Sequence, residues 1–297
     1  MFSNHFASTD LKKAEGSDEI YSSGRFGGSD MDIATIIGVI LGFIAVFVGM
    51  IMKRASLSIL INPAAILIII LGTIASVLVA FPTSELKRVP KLLKIIFFEK
   101  QNTSDVEIIK MFSQWADIAR REGLLSLESK AMEVEDPFLR NGLSLAIDGQ
   151  NADYIRDVLN EEVEALEERH ASGAQIFSQA GTYAPTLGVL GAVVGLIAAL
   201  GDMSDIDALG YAVSSAFVAT LLGIFTGYVL WHPFANKLKR KSAIEVKQKR
   251  LMIEGILSVL EGEAPRIIEQ KLLSYITNEE RKQFLDESGA GSLGKEV

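Results

Sequence analysis

Pro185 and Thr220 are the residues of this 297-residue chain best placed for chemistry, because each interrupts a long uncharged apolar run. Residues 182–200 read TYAPTLGVLGAVVGLIAAL, and Pro185 among them has no amide hydrogen, which frees the carbonyl four residues back, at Gly181. Residues 209–234 form a second uncharged run, in which the Thr220 hydroxyl is the deepest polar handle. Freed carbonyls and hydroxyls at bilayer depth usually line something wet. Small residues accompany both: Ser215, Ala219, Gly223 and Gly227 recur every four positions, and Gly191, Gly195 and Ala199 repeat the spacing. That places them on one helical face, where backbones can approach closely. For any single glycine, helix packing is the simpler reading.

Other candidate chemistry is thin. No GxGxxG, Walker lysine loop, HExxH or GxSxG occurs, so no enzyme is expected. The absence of cysteine removes disulfides, thiolate metal sites and a cysteine nucleophile together. His5, His170 and His232 lack ligand spacing, so no metal or other cofactor is expected. Glu161, Glu162, Glu164, Glu167 and Glu168 lie on one solvated helix face. None of the apolar runs carries Asp, Glu, Lys or Arg at bilayer depth, where proton-moving proteins place a titratable group. If an ion passes, its carboxylate must come from another chain.

The elements that position these residues follow from hydropathy. With 49% hydrophobic residues, 22% charged residues and a mean hydropathy of +0.29, the chain reads as part bilayer and part aqueous domain. The fold class expected is all-α. Residues 1–30, polar and rich in Ser, Gly and Asp, read as a disordered extension, with Met31 as the expected natural start. Residues 31–82 hold two spans, 33–52 and 64–81, and 179–234 hold two more. Between them, 83–178 form a helical loop; 235–277 form C-terminal helices expected to pack against it, and 278–297 read as a flexible tail. Lys87, Arg88, Lys91 and Lys94 follow the second span and Lys237, Lys239, Arg240 and Lys241 the fourth, whereas the loop 201–208 carries three Asp and no Lys or Arg. Both termini and the long loop are therefore expected in the cytoplasm, Lys53 and Arg54 voting the other way. A net charge of −8 with no basic, aromatic-rich face argues against nucleic acid as a partner.

Four segments carry a resemblance: Asn62-Pro-Ala-Ala-Ile-Leu, Arg120-Arg-Glu-Gly-Leu-Leu-Ser-Leu-Glu128, Gln179-Ala-Gly-Thr-Tyr-Ala-Pro-Thr-Leu-Gly188, and Ala216-Phe-Val-Ala-Thr-Leu-Leu-Gly-Ile-Phe-Thr-Gly-Tyr228 running on through Trp231-His-Pro233. From Met31 to about Leu273 the chain resembles the MotA family of flagellar stator subunits, especially its Bacillus-type members. The resemblance implies an ion-conducting stator in the cell membrane. In that family five MotA chains surround two helices of MotB, which brings the missing aspartate, and charged loop residues meet the rotor protein FliG.

Carried over by position, Pro185 and Pro233 match the prolines tied to ion flow and torque, with Tyr183 and Thr220 in the same matched runs and Ala192 beside the matched Gly191. Arg120 and Glu128 match the rotor-facing charges, with Arg121 and Glu122 beside them. Sodium-driven relatives have a threonine where Ala192 stands, and residues 188–200 contain no hydroxyl, so the coupling ion expected is H⁺ and not Na⁺. Two other readings are an ExbB/TolQ-type energiser, which has three spans, and a self-contained transporter, disfavoured by the lack of an intramembrane charge. A purely structural membrane scaffold is the plainest alternative.

Overall fold

The 3.6-residue periodicity of the apolar runs is realised as helix nearly throughout. The computed structural model describes residues 30–99, 103–201 and 206–287, so most of the expected extension at 1–30 lies outside the described residues. Its last residue joins a two-residue antiparallel ladder, β1 (Asp30–Met31) against β2 (Phe98–Glu99). Among the described residues this ladder is the one departure from an all-α fold.

Helix α1 (Ile33–Met52) starts at Asp32, whose carboxylate accepts from the Thr35 amide, 3.1 Å away. A 3₁₀ turn, Leu57–Leu60, leads to α2, built from Pro63–Ile66, a π-turn Leu67–Leu71, and Gly72–Ala80. Asn62 caps it, accepting from Ala65, and Pro63 takes the first helical position, where no amide donor is needed. Two short helices follow, α3 (Thr83–Leu86) and α4 (Val89–Phe97). Then come α5 (Asp105–Glu122), opened by a Ser104–Glu107 capping box, α6 (Glu128–Glu133) and α7 (Pro137–Ile147).

The two longest helices unite membrane and aqueous parts. Helix α8 (Ala152–Leu200) runs 49 residues, about 74 Å at 1.5 Å per residue, from its Asn151 cap through Pro185. Helix α9 (Ile206–Leu260) runs 55 residues, interrupted by a π-turn at Thr226–Trp231. The chain closes with α10 (Pro265–Leu272) and α11 (Asn278–Glu287). The expected flexible tail from 278 is corrected here: its first ten residues are helical, and Phe284 is buried in the aqueous core because it supplies an apolar anchor that the polar composition hid.

Among the described residues four helices are long and apolar enough to cross a membrane: α1, the stretch Leu57–Ala80, α8 and α9. Helix α1 contributes no fully buried residue, which suits a helix facing lipid or a neighbour. The aqueous core gathers Phe112, Trp115, Leu139, Leu143, Leu159 and Ile256 from α5, α7, α8 and α9. The C-terminal helix thus packs on the middle loop, as its apolar side requires.

Candidate functional site: the α8–α9 contact and the α5–α6 tip

In the membrane half, α8 and α9 touch through backbone. A methyl group on Gly223 would stand 2.7 Å from the Ala184 carbonyl oxygen and 2.8 Å from the Gly188 Cα, and one on Gly188 would stand 2.8 Å from the Ala219 carbonyl oxygen. Such distances leave no room for a side chain. With no hydrophobic drive between helices in lipid, close backbone packing supplies the association. The stripe expected on the third span was Gly191, Gly195 and Ala199; the structure moves it one turn and more towards the N-terminus. Gly191 lies 3.6 Å from the Ala219 Cβ measured from where its own Cβ would be, but Gly195 meets nothing within 4 Å in the single chain. The contact instead runs through Gly181, Ala184, Gly188 and Gly191, because α9 crosses at the level of the proline.

Pro185 sits in that contact. A methyl on Gly227 would stand 2.8 Å from both the Gly181 carbonyl oxygen and the Pro185 ring, so Gly227 covers the carbonyl region that the proline frees. Gly227 belongs to the π-turn Thr226–Trp231, which ends just before Pro233. In a regular helix the Pro233 ring would press on the Val229 carbonyl, and the widened turn relieves that clash. The two prolines, 48 positions apart, are therefore linked through one backbone contact and one π-turn. Pro185 and Tyr183 are half-buried and Pro233 is exposed. His232 packs its ring over Gly181 and against Tyr228, with ring centroids 5.3 Å apart.

Thr220 does not meet Pro185. It follows Ala219, which faces Gly188 and Gly191, so it lies one turn or more beyond the proline, at the depth of Ala192. Its hydroxyl donates back to the Ala216 carbonyl at 3.2 Å, and Thr226 donates likewise to Leu222 at 2.8 Å. Both hydroxyls are internally satisfied, and oxygen lone pairs remain to accept.

Thr73 behaves otherwise. It is buried on α2, and its hydroxyl has no hydrogen-bond partner. The carbonyl it would normally reach, four residues back at Ile69, belongs to the π-turn Leu67–Leu71. The sequence reading missed this group, since nothing in an apolar run announces a π-turn. It also missed the Asn62 side chain donating to Ser215, which ties α2 to α9.

The charged residues meet at a different place. Arg120, Arg121 and Glu122 end α5, Gly123 turns the chain with φ +88°, and Glu128 begins α6. All four charged side chains are exposed. Arg121 pairs with Asp117 at 2.9 Å one turn back, whereas Arg120 and Glu128 make no ion pair among the described residues. Leu125 and Met132 are 73% and 71% exposed on the same tip, apolar side chains that sequence periodicity alone would assign to the core. Just behind it, Asp136 caps α7 through the Phe138 and Leu139 amides and pairs with Lys249 of α9 at 2.6 Å. Burial would raise the Asp136 carboxyl, but the Lys249 ammonium and the two amides outweigh it and hold its pKa below the ordinary carboxylate value.

Comparison with known proteins names this arrangement. Residues 36–123 match the model of the motility protein A N-terminal domain, and residues 130–251 match that of the MotA/TolQ/ExbB proton channel family. Motility protein A of Bacillus subtilis is 62% identical over 260 residues, 88% of this chain and 96% of that protein. The structure of the flagellar MotAB stator complex from Bacillus subtilis contains a chain that superposes with a TM-score of 0.80 at 64% identity, over 84% of this chain and 98% of that one. A chain in the structure of C. jejuni MotAB gives 0.79 at 33% identity, over 84% and 97%. The chain belongs to the MotA/TolQ/ExbB proton channel family, among its motility protein A members.

Proposed function

We propose that this chain is the ion-conducting stator subunit of a bacterial flagellar motor, and that with MotB it couples proton flow across the cell membrane to torque on the rotor protein FliG. The observation that carries the reading is the α8–α9 contact: an uncharged, backbone-tight packing around Pro185 and Gly227, in helices that continue into the aqueous domain. A partner aspartate near Pro185, Thr220 and Ala192 supplies the titratable group that the spans lack. When it takes up a proton, a charge costly at bilayer depth disappears, and the packing of α8 against α9 shifts between two states. One proton falling through 100 mV releases about 2.3 kcal/mol, enough to bias a repacking of that size.

The long helices carry the change outwards. Helices α8 and α9, the latter through its π-turn, continue into the core beneath the α5–α6 tip, and the Lys249–Asp136 pair fastens α9 to the cap of α7 directly behind it. Arg120 and Glu128, exposed and without an ion pair among the described residues, are the contacts to FliG, with Arg121, Glu122, Leu125 and Met132 around them. Five copies surround two MotB helices, and both termini lie in the cytoplasm. The MotAB relatives support the partner, and the motility protein A match at residues 36–123 favours a stator over an ExbB/TolQ-type energiser.

Reconstitution tests the core of this reading. Liposomes holding the chain alone should show background proton flux, and adding MotB with its membrane aspartate intact should raise it; sizeable flux without MotB refutes the assignment. The coupling ion is H⁺. Swimming driven by this stator should be indifferent to replacing external Na⁺ with K⁺ and should stop with a protonophore, so arrest on Na⁺ removal alone would overturn the choice of ion. Charge reversal at Arg120 or Glu128 should reduce swimming at unchanged protein level, and a compensating reversal on FliG should restore part of it.

A further inference from the structure

Lys87, Arg88, Lys91 and Lys94 fall within eight residues, immediately after the second span. Helix α4 turns Val89, Leu92, Leu93, Ile96 and Phe97 onto a small core that includes Phe177 and Phe234. Within α4, Lys91 and Lys94 fall on the opposite face at 100° per residue, Lys87 and Arg88 lie in the turn just before the helix, and all four are exposed. The helix cannot roll to hide them. Lys241 donates to the Ile95 and Phe98 carbonyls at 2.7 and 3.0 Å, and the Asp32 amide donates to Phe97 at 2.9 Å.

The charge on this face is also left unneutralised by the described residues. Glu85 is the single carboxylate between residues 83 and 98, and it accepts from the Ser172 hydroxyl of α8 at 2.5 Å. None of the four cations has an ion pair among the described residues, whereas the neighbouring Lys237 is held by Asp32. Ile95, 37% exposed, adds an apolar side chain to the basic face.

We propose that this face binds the anionic phospholipid headgroups of the cytoplasmic leaflet. These cations follow the end of a membrane span at Ala80 by 7 to 14 positions, a placement from which they can meet the headgroup phosphates, where the attraction acts within a Debye length of about 8–10 Å. Each such cation favours an anionic surface about fivefold at ordinary ionic strength. The lipid contact would hold α4 at the bilayer surface and so fix the depth of the α8–α9 contact to which its core is joined.

The test uses the full chain with MotB, purified in detergent and equilibrated with mixed phosphatidylglycerol and phosphatidylcholine. Retained lipid is counted by native mass spectrometry, and boundary-lipid preference is measured in vesicles of the same composition. The wild type should retain phosphatidylglycerol several-fold over phosphatidylcholine at about 50 mM salt and lose most of that preference at about 500 mM.

The variant Lys87→Gln, Arg88→Gln, Lys91→Gln, Lys94→Gln should bring the ratio close to one, and Lys91→Arg with Lys94→Arg should keep it. A control removing the same charge elsewhere, Arg156→Gln, Arg266→Gln, Arg281→Gln, Lys282→Gln, should leave it unchanged. Equal retention of the two lipids by the wild type, or equal loss in the control, overturns the proposal. So does a Gln variant that keeps the wild-type lipid ratio but stops swimming, which would assign the face to an acidic protein surface.

Discussion

The same two helices, α8 and α9, meet twice in this molecule, and they do so by opposite means. In the membrane half they meet through Ala184, Gly188, Ala219 and Gly223, where the two glycines have no room even for a methyl. In the aqueous half they share one core, to which they bring Leu159, Val163, Ile256 and Val259, all buried among other large apolar residues. Water makes the difference. In the aqueous domain the expulsion of apolar surface favours large interdigitating side chains, while in lipid a leucine gains nothing by leaving its neighbours and only backbone proximity remains. The two contacts therefore hold by different forces, dispersion between close backbones in lipid and apolar burial in water. A helix pair joined in these two ways suits a machine that repacks where the ion binds and moves as a unit where it pushes.

The largest expected effect comes from breaking the membrane contact. Gly223→Val places branched carbons where the Ala184 carbonyl and the Gly188 Cα already stand, so swimming and MotB-dependent proton flux should be abolished. Limited proteolysis should still show an intact aqueous domain, and normal swimming would refute the importance of the contact.

Ile256→Ala tests the other end. Its side chain is fully buried and lies against Gly142, and the cavity should cost about 3 kcal/mol, seen as a lower unfolding midpoint. Leu190→Ala, on an exposed part of the membrane half, should leave the midpoint within error. Equal losses at the two positions would erase the distinction drawn above.

A smaller loss is expected from Asp136→Asn, which keeps a cap for α7 but strands the Lys249 ammonium, only 7% exposed. About 2 kcal/mol is expected, less than for a wholly buried pair because Asp136 is partly open to solvent. The sign of its pH dependence follows from a folded pKa below the unfolded one. The Asp136 contribution is complete above the ordinary carboxylate value of 3.8 and is lost as acid carries the pH down through the folded value. Thermal scans should show the wild type keeping its advantage over the Asn variant above about pH 4 and losing it progressively below.

The smallest effect concerns His170, which lies 3.1 Å from Ser242 between α8 and α9. Burial lowers its pKa; Glu245 pulls upwards and Arg169 downwards. With the folded value lowered, the unfolded chain takes up a proton first as pH falls through 6.5. Stability present above that pH is therefore lost below it. His170→Gln should flatten the stability profile between about pH 6.5 and 5.

Much of this was legible in the sequence. Uncharged runs of about 20 residues mark the four spans, and Gly181-Thr-Tyr-Ala-Pro185 marks a helix with a freed carbonyl; Arg120 and Glu128, carried over by resemblance as rotor-facing charges, are exposed. Thr220 illustrates the limit. Its depth in the run was plain, but its distance from Pro185 depends on where α9 crosses α8, a long-range relation that no local pattern encodes. Leu125 illustrates another, since an apolar residue beside Leu124 and Leu127 looks like core until the Gly123 turn points it outwards.

The sequence by itself determined what each segment could dissolve in and which chemistry was missing, because hydropathy and titratable groups are properties of residues. Only the tertiary structure decided which glycines face a neighbour, that Gly227 covers the carbonyl opened by Pro185, that the π-turns lie at Leu67–Leu71 and Thr226–Trp231, and that the Lys249 charge is held by Asp136. Those features arise from the crossing of helices distant in the chain, where backbone proximity and local dielectric are set by partners that no single segment contains.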